Sequence, residues 1–206
     1  MRIGGVVLCG GRSSRMGQPK AWLHIGDEVL LQRVVRILRE VVEPVVVVAA
    51  PGQEVPELPV GVEMVRDSVE GRGPLQGLAT GLTALTGKVD AVYLSSCDAP
   101  FLHAAFVRRM VNLLDEASSI AVPHIGDYHH PLASVYRVSV LDAVNSLLAA
   151  NRMRPVFLFD AVPTRIVLAP ELIDIDPTFE SLRNINTPEE YEIAMQDFVA
   201  RSYNHS

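Results

Sequence analysis

Ile3-Gly4-Gly5-Val6-Val7-Leu8-Cys9-Gly10-Gly11-Arg12-Ser13-Ser14-Arg15-Met16-Gly17-Gln18-Pro19-Lys20 joins a short apolar run to a glycine-rich, basic segment. The run from Ile3 to Leu8 reads as a buried strand, and Gly10 to Gly17 as the loop that leaves it. Glycines let a backbone approach a phosphate closely, and successive N–H groups can cradle it. Arg12, Arg15 and Lys20 add positive charge to that loop, and Lys20 has no acidic neighbour nearby in sequence. A tight strand-to-helix turn with incidental surface arginines accounts equally well for the glycines alone.

Working outward, short β-branched runs alternate with longer helical patterns. Leu30, Leu31, Val34, Val35, Ile37, Leu38 and Val41 recur at helical spacing. Pro44 ends that helix, and Val45 to Ala50 is a strand apolar on both faces, as parallel strands are. Val62 to Val65 and Ala91 to Ser95 read as further strands. Gly73-Pro74 opens a helix, with proline where a missing N–H does no harm. Phe101 to Leu114 and Val138 to Asn151 are helical, and Ser119 to Val122 and Ala133 to Arg137 are strands. Thr187 caps a last helix, with Pro188 its first residue and Glu190 the partner in a capping box. Residues from about 152 to 186 read as less regular. Strand and helix in alternation predict one three-layer α/β/α domain over residues 1–206, with a mostly parallel, Rossmann-like sheet.

Composition narrows the function. Of 206 residues, 49% are apolar, enough for a substantial core. Eighteen Lys and Arg against 24 Asp and Glu give a net charge of −6, which argues against a nucleic-acid binder. Two cysteines, Cys9 and Cys97, exclude a disulfide framework and suit a reducing cytoplasm. The longest apolar run, Val45 to Pro51, is too short to cross a membrane, and the N-terminal segment lacks a signal-peptide pattern.

In an open α/β sheet, ligands bind beyond the carboxyl ends of the strands. The basic loop leaves one such end. Arg66-Asp67-Ser68 leaves another and Ser96-Cys97-Asp98-Ala99-Pro100 a third. Two aspartates beside a phosphate-binding loop suit a nucleotide and Mg²⁺, which takes carboxylate and phosphate oxygens; each aspartate alone could equally be a helix cap. Neither a P-loop nor a dinucleotide fingerprint is present, because Gln18 follows Gly17 and Gln76 stands where the stretch from Gly71 would need its third glycine. His124, Asp127, His129 and His130 are close enough to suggest zinc, but Gly126-Asp127-Tyr128 favours a polar hairpin. Cys97 has no identifiable histidine partner and reads as packing. Arg33, Arg36 and Arg39 read as a solvated helix face, and Trp22 as core or rim.

Leu8-Cys9-Gly10-Gly11, Ser13, Arg15-Met16-Gly17 and Lys20 resemble the signature of molybdenum cofactor guanylyltransferases, in the wider nucleotidyltransferase group with a Rossmann-like fold. Four further segments match in order: Arg66-Asp67-Ser68 with Gly73 to Gly77, Cys97 to Pro100, His130-Pro131-Leu132, and Asn184 to Glu190. The resemblance runs from Ile3 to about Ala194. It implies nucleotide contacts at Leu8, Cys9, Gly10, Gly11, Lys20, Asp67 and Asp98, and Mg²⁺ at Asp98. Gly73, Pro74, Leu75 and Gly77 would help hold the guanine, and Asn184 and Asn186 would face the pterin. Arg15 joins Lys20 and Asp98 as a candidate catalytic group, from its charge and position. The chain departs from the family at Pro19, where Asp is common, and at Val48 and Ala49, where Asn is common.

The implied reaction is transfer of GMP from GTP to the phosphate of a molybdopterin-type cofactor, with release of pyrophosphate. The nucleotide-binding part spans about 1–115 and the acceptor-side part about 116–200. The substrates are GTP and that cofactor, with transient contact to cofactor-delivery proteins or molybdoenzymes. Cytidylyl transfer to the same acceptor is the close alternative. A nucleotide-binding regulatory module without turnover is an alternative of another class.

Overall fold

A computed structural model describes residues 1–10, 19–69 and 71–204. Gly11, Arg12 and Arg15, assigned above to the phosphate loop, lie outside the described residues. In chain order the elements are β1 (Ile3–Leu8), β2 (His24–Ile25), β3 (Glu28–Val29), α1 (Leu30–Arg39), β4 (Val45–Ala49) and β5 (Glu63–Arg66). Then come α2 (Gly73–Leu85), β6 (Ala91–Ser96), α3 (Ala104–Leu113), β7 (Ile120–Ile125), β8 (Tyr128–His129) and β9 (Ala133–Arg137). The chain finishes with α4 (Leu141–Ala149), α5 (Val156–Ala161), β10 (Thr164–Leu168) and α6 (Pro188–Asn204).

The main sheet has the order β10-β7-β9-β6-β1-β4-β5, with β8 paired to β7. Strand β1 runs parallel to both β4 and β6, β4 parallel to β5, and β7 parallel to β10. Only β9 and the short β8 reverse, so the sheet is mixed but mostly parallel.

Alternation along β1 explains the layers, since successive side chains leave opposite faces. Val7 packs with Leu31, Val34 and Leu38 of α1 and with Phe106 and Met110 of α3. Val6 and Leu8 pack with Leu75, Leu78 and Leu82 of α2 and with Val144 and Leu148 of α4. Both layers hold β4 valines, which is why that strand carries no polar residue.

Two glycines set how closely α2 approaches β1. A Cβ on Gly77 would come within 2.8 Å of Leu8 Cδ2, and one on Gly81 within 2.5 Å of Val6 Cγ1. Glycines four apart on one helix face let the backbone sit directly on the strand. This close seat brings the first turn of α2 to the carboxyl end of β1.

The expected elements form within two or three residues at each end, with informative exceptions. Helix α3 starts at Ala104 because Phe101 and Leu102 are spent in a buried turn after Pro100. The segment read as irregular after residue 152 contains α5 and a genuine edge strand, β10. The hairpin of β2 and β3, turned at Gly26 (φ 59°), forms a third cluster: Ile25 and Leu30 meet Phe101, Ile185 and Ala194. The proposed capping box is present: the Glu190 amide donates to Thr187 Oγ1 (3.2 Å), and the Asn186 and Thr187 amides donate to Glu190 Oε2. Among the described residues no helix is long and apolar enough to cross a membrane.

Candidate active site

A cavity of about 370 Å³ opens at the carboxyl ends of β1, β4, β5 and β6. Leu8, Cys9 and Gly10 line it from β1, Asp67 from the end of β5, and Gly73, Pro74 and Gly77 from the start of α2. Lys20 and Asp98 close another side, together with Asn184 and Asn186. Residues chosen from five separate segments therefore meet in one place. Leu75 does not join them. It is fully buried in the layer beneath α2, one side of the helix being core and the other cavity.

Asp98 is the most constrained group. Ser96 Oγ donates to its Oδ1 at 2.5 Å, and Lys20 Nζ donates to its Oδ2 at 2.5 Å. Lys20 Nζ also donates to Asn186 Oδ1 at 2.9 Å. The side chains of Lys20 and Asp98 are 19% and 11% exposed, so this ion pair is largely shielded from water. Lys20 has no acid nearby in sequence, and the one that meets its charge lies 78 residues away. The Asp98 carbonyl accepts from the Ile185 amide at 3.0 Å, fastening the asparagine segment to the end of β6. Ile185 is buried while Asn184 and Asn186 both reach the cavity, as extended alternation requires.

Asp67 is half-buried. Thr80 Oγ1 of α2 donates to its Oδ1 at 2.7 Å. Burial pushes its carboxyl above the usual range, and the Thr80 bond partly opposes that. Gly10 lies beside this carboxylate, the position of its missing Cβ being 3.9 Å from Asp67 Oδ2.

Sequence reasoning missed Gln53. Its Nε2 donates to the Cys9 carbonyl and its Oε1 accepts from the Ala50 amide, both at 3.0 Å. Arg66 then holds the carbonyls of Ala50 and Gln53. Nothing in the spacing of a lone glutamine signals this bracing of the loop entrance. Ser96 was equally invisible, as a polar residue inside an apolar strand. Arg72, Val48, Ala50, Gly71 and Leu132 also line the cavity.

Other sequence features resolve clearly. Cys9 and Cys97 are both buried, and the Cys9 thiol is pushed well up, first by its hydrogen bond with Cys97 and then by burial. With its proton held, the Cys9 thiol is unreactive at rest, which agrees with packing. His124 and His129 face each other across the β7–β8 hairpin with ring centroids 4.5 Å apart, and His129 stands edge-on to Phe159. Burial holds His129 and His130 below the usual histidine range. Among the described residues no three His, Cys, Asp or Glu side chains are arranged to hold a metal by themselves. Arg33 is not solvated: it is mostly buried, donates to the Pro100 carbonyl at 2.7 Å and pairs with Glu28. Arg36 pairs with Glu28 and Glu40. Trp22 is a rim residue, 42% exposed.

This arrangement, with Gly10, Gly73 and Gly77 lining one cavity beside a lysine and two carboxylates at the strand ends, suits nucleotide chemistry. Residues 5–162 match the family described as "MobA-like NTP transferase domain". The chain belongs to that family. As one of the MobA-like NTP transferases it is a nucleotidyltransferase. It is 34% identical over 185 residues to a probable molybdenum cofactor guanylyltransferase of Pelotomaculum thermopropionicum, covering 89% of this chain and 87% of that one. It is 37% identical over 172 residues to a protein of the same description from Mycobacterium tuberculosis, covering 81% and 84%. Among solved structures, molybdopterin-guanine dinucleotide biosynthesis protein A from Archaeoglobus fulgidus superposes with a TM-score of 0.75 at 19% identity, over 97% of this chain and 100% of that one. That likeness confirms the fold of the MobA-like family: helices on both faces of a mostly parallel sheet.

Proposed function

We propose that this nucleotidyltransferase transfers GMP from GTP to the terminal phosphate of a molybdopterin-type cofactor. The observation that carries the reading is the hydrogen-bonded group Asp98–Lys20–Asn186. It joins a phosphate-binding lysine and a metal-binding carboxylate to an amide on the acceptor side of one cavity. The names of the relatives support the same reading.

An oxygen of the acceptor phosphate attacks the α-phosphorus of GTP. A new P–O bond forms, the bond to the β-phosphate oxygen breaks, and pyrophosphate leaves. The attacking group belongs to the substrate, so the protein supplies position and charge rather than a nucleophile. Leu8, Cys9, Gly10 and Gly11 present the backbone that receives the nucleotide. Gly73, Pro74 and Gly77 leave room for its base, and Leu75 supports that turn from the core. Lys20 turns from Asp98 to the nucleotide phosphates, and Arg15 shares in stabilising the leaving pyrophosphate. Asp67 accepts a hydrogen bond from the nucleoside. Asn184 and Asn186 present donors and acceptors to the pterin edge.

The donor set fits Mg²⁺. One carboxylate, Asp98, is presented in the cavity, and this cation is usually held by one or two carboxylates plus substrate phosphates rather than an all-protein cage. Bound there, the cation neutralises phosphate charge as a Lewis acid. The nucleotide-binding part, about 1–115, and the acceptor part, about 116–200, belong to the same proposal. So do a cytoplasmic location and transient contact with cofactor-delivery proteins or molybdoenzymes.

The test is pyrophosphate release by the purified protein with GTP or CTP, with and without acceptor. Release with GTP that requires acceptor is the expected result. Preference for CTP would make it the cytidylyl enzyme, and no release with either would leave only a binding module.

A further inference from the structure

Leu8 and Ser96 are register partners in adjacent parallel strands, and the next residue on each is a cysteine. The ladder continues past them, since the Cys97 amide donates to the Leu8 carbonyl at 3.0 Å. Register partners in parallel strands project from the same face, and Cys9 and Cys97 indeed share one core layer. Both residues line the nucleotide cavity. They are also the only cysteines in the chain.

We propose that Cys9 and Cys97 form an oxidative modification site, which a hydroperoxide entering the cavity converts to a disulfide that switches off nucleotide binding. Adjacent strands sit about 4.7–4.9 Å apart, inside the Cα separation of about 4.4–6.8 Å that a disulfide tolerates. The Cβ atoms must come closer still, to about 3.5–4.5 Å, so closure draws the two strand ends together. Those ends are the worst placed to move. Gly10 opens the phosphate loop on one, and Asp98 follows directly on the other.

The chemistry balances. Cys97 releases its proton to water and attacks a peroxide oxygen; an S–O bond forms, the O–O bond breaks, and the departing hydroxide takes up a proton and leaves as water. The Cys9 thiol then attacks the resulting sulfenic sulfur and gives its proton to the departing hydroxyl, forming the S–S bond and releasing a second water. Two thiols are oxidised by two electrons in all, and the peroxide is reduced. A strained bridge is the more readily reduced, so a small dithiol restores the site. Bound nucleotide covers both sulfurs and protects them.

The thiol claim rests on the two sulfurs alone, and only its consequence rests on the reading of the cavity. The experiment treats the protein with hydrogen peroxide, denatures it, alkylates with iodoacetamide and weighs it intact. GTP binding is measured by calorimetry on the same samples before denaturation. Expected are no alkylated cysteine after treatment, both alkylated after dithiothreitol, and GTP affinity lowered by about tenfold or more in the oxidised form. Cys97→Ala, compared with its own untreated sample, keeps its GTP affinity through the treatment. Persistent alkylation of both thiols overturns the proposal, as does a disulfide that leaves GTP affinity unchanged or equal sensitivity of the Cys97→Ala protein. If untreated protein binds no GTP, the nucleotide reading fails while the alkylation result still decides the thiol pair.

Discussion

Lys20 Nζ lies 2.5 Å from Asp98 Oδ2, so the two groups proposed to meet phosphate and metal satisfy each other. In the proposed reaction, entry of a metal-bound nucleotide exchanges this pair for two new ones without leaving either charge unmatched. Because the pair is shielded, removing one member leaves the other charge poorly solvated. Lys20→Ala therefore weakens GTP use by about tenfold or more and also costs about 1–3 kcal/mol of stability. Steady-state kinetics and thermal melts on the same variant check both halves. A lowered melting temperature with unchanged kinetics would show a purely structural lysine.

Asp98→Asn keeps the shape and the Ser96 hydrogen bond but removes the charge. The fold is expected to persist with a lowered melting temperature, since Lys20 loses its charged partner, while turnover is mostly lost and the Mg²⁺ requirement shifts to higher concentration. A Mg²⁺ titration of the variant reads this directly. Near-normal turnover at low Mg²⁺ would take Asp98 out of the metal site.

The two asparagines separate by their bonds. Asn186 accepts from Lys20, whereas Asn184 reaches the same cavity from the other side of Ile185. Asn184→Ala raises the KM for acceptor by about tenfold, the scale of one polar contact, and leaves that for GTP unchanged. Asn186→Ala raises both. Equal effects of the two substitutions on GTP alone would mean that this segment only supports the last helix.

Asp67 pays for its position in pH dependence. Burial raises its folded pKa above that of the unfolded chain, so it costs nothing below the unfolded pKa, a growing amount between the two values, and the full amount above the folded one. Asp67→Asn keeps the acceptor for Thr80 and removes the charge. The variant is expected to melt slightly higher than the parent at neutral pH, and this advantage disappears near pH 3 as both side chains become neutral (unfolded Asp titrates at about 3.9). GTP affinity falls over the neutral range. Paired melts across pH, with binding at pH 7, measure the exchange of stability for function.

Gly81→Ala tests the seat of α2. Alanine is the better helix former by about 1 kcal/mol, yet its Cβ would overlap Val6, and overpacking costs about 1–3 kcal/mol. Net destabilisation is expected, together with lower GTP affinity as the helix start moves off the cavity. Val6→Ala in the same chain restores much of both. Destabilisation that Val6→Ala leaves unrelieved would place the strain elsewhere.

The legible parts of this protein are those where burial writes a period. Val45 to Ala49 and Ala91 to Leu94 are covered on both faces, so they stand out as apolar runs; α1 shows its inward face at helical spacing. Strand β10 was missed because it is an edge strand whose Ile166 and Leu168 are exposed, which breaks the inside–outside contrast. A two-residue strand such as β2 has no period at all. Most site residues were legible because each follows a strand, and strand ends converge. Their pairing was not: the bonds from Lys20 to Asp98 and Asn186 span 78 and 166 residues, and only the fold makes them neighbours.

The bond from Ile185 to Asp98 has a mechanical consequence. After β10 pairs with β7 at one edge of the sheet, the chain returns to the end of β6 and is tied there, while Ile185 and Ala194 lock it against Leu30 and Phe101. Asn184 and Asn186 thus hang from a strap anchored at a single strand end, and a change within that strap leaves the pairing of β1, β4, β5 and β6 as it is.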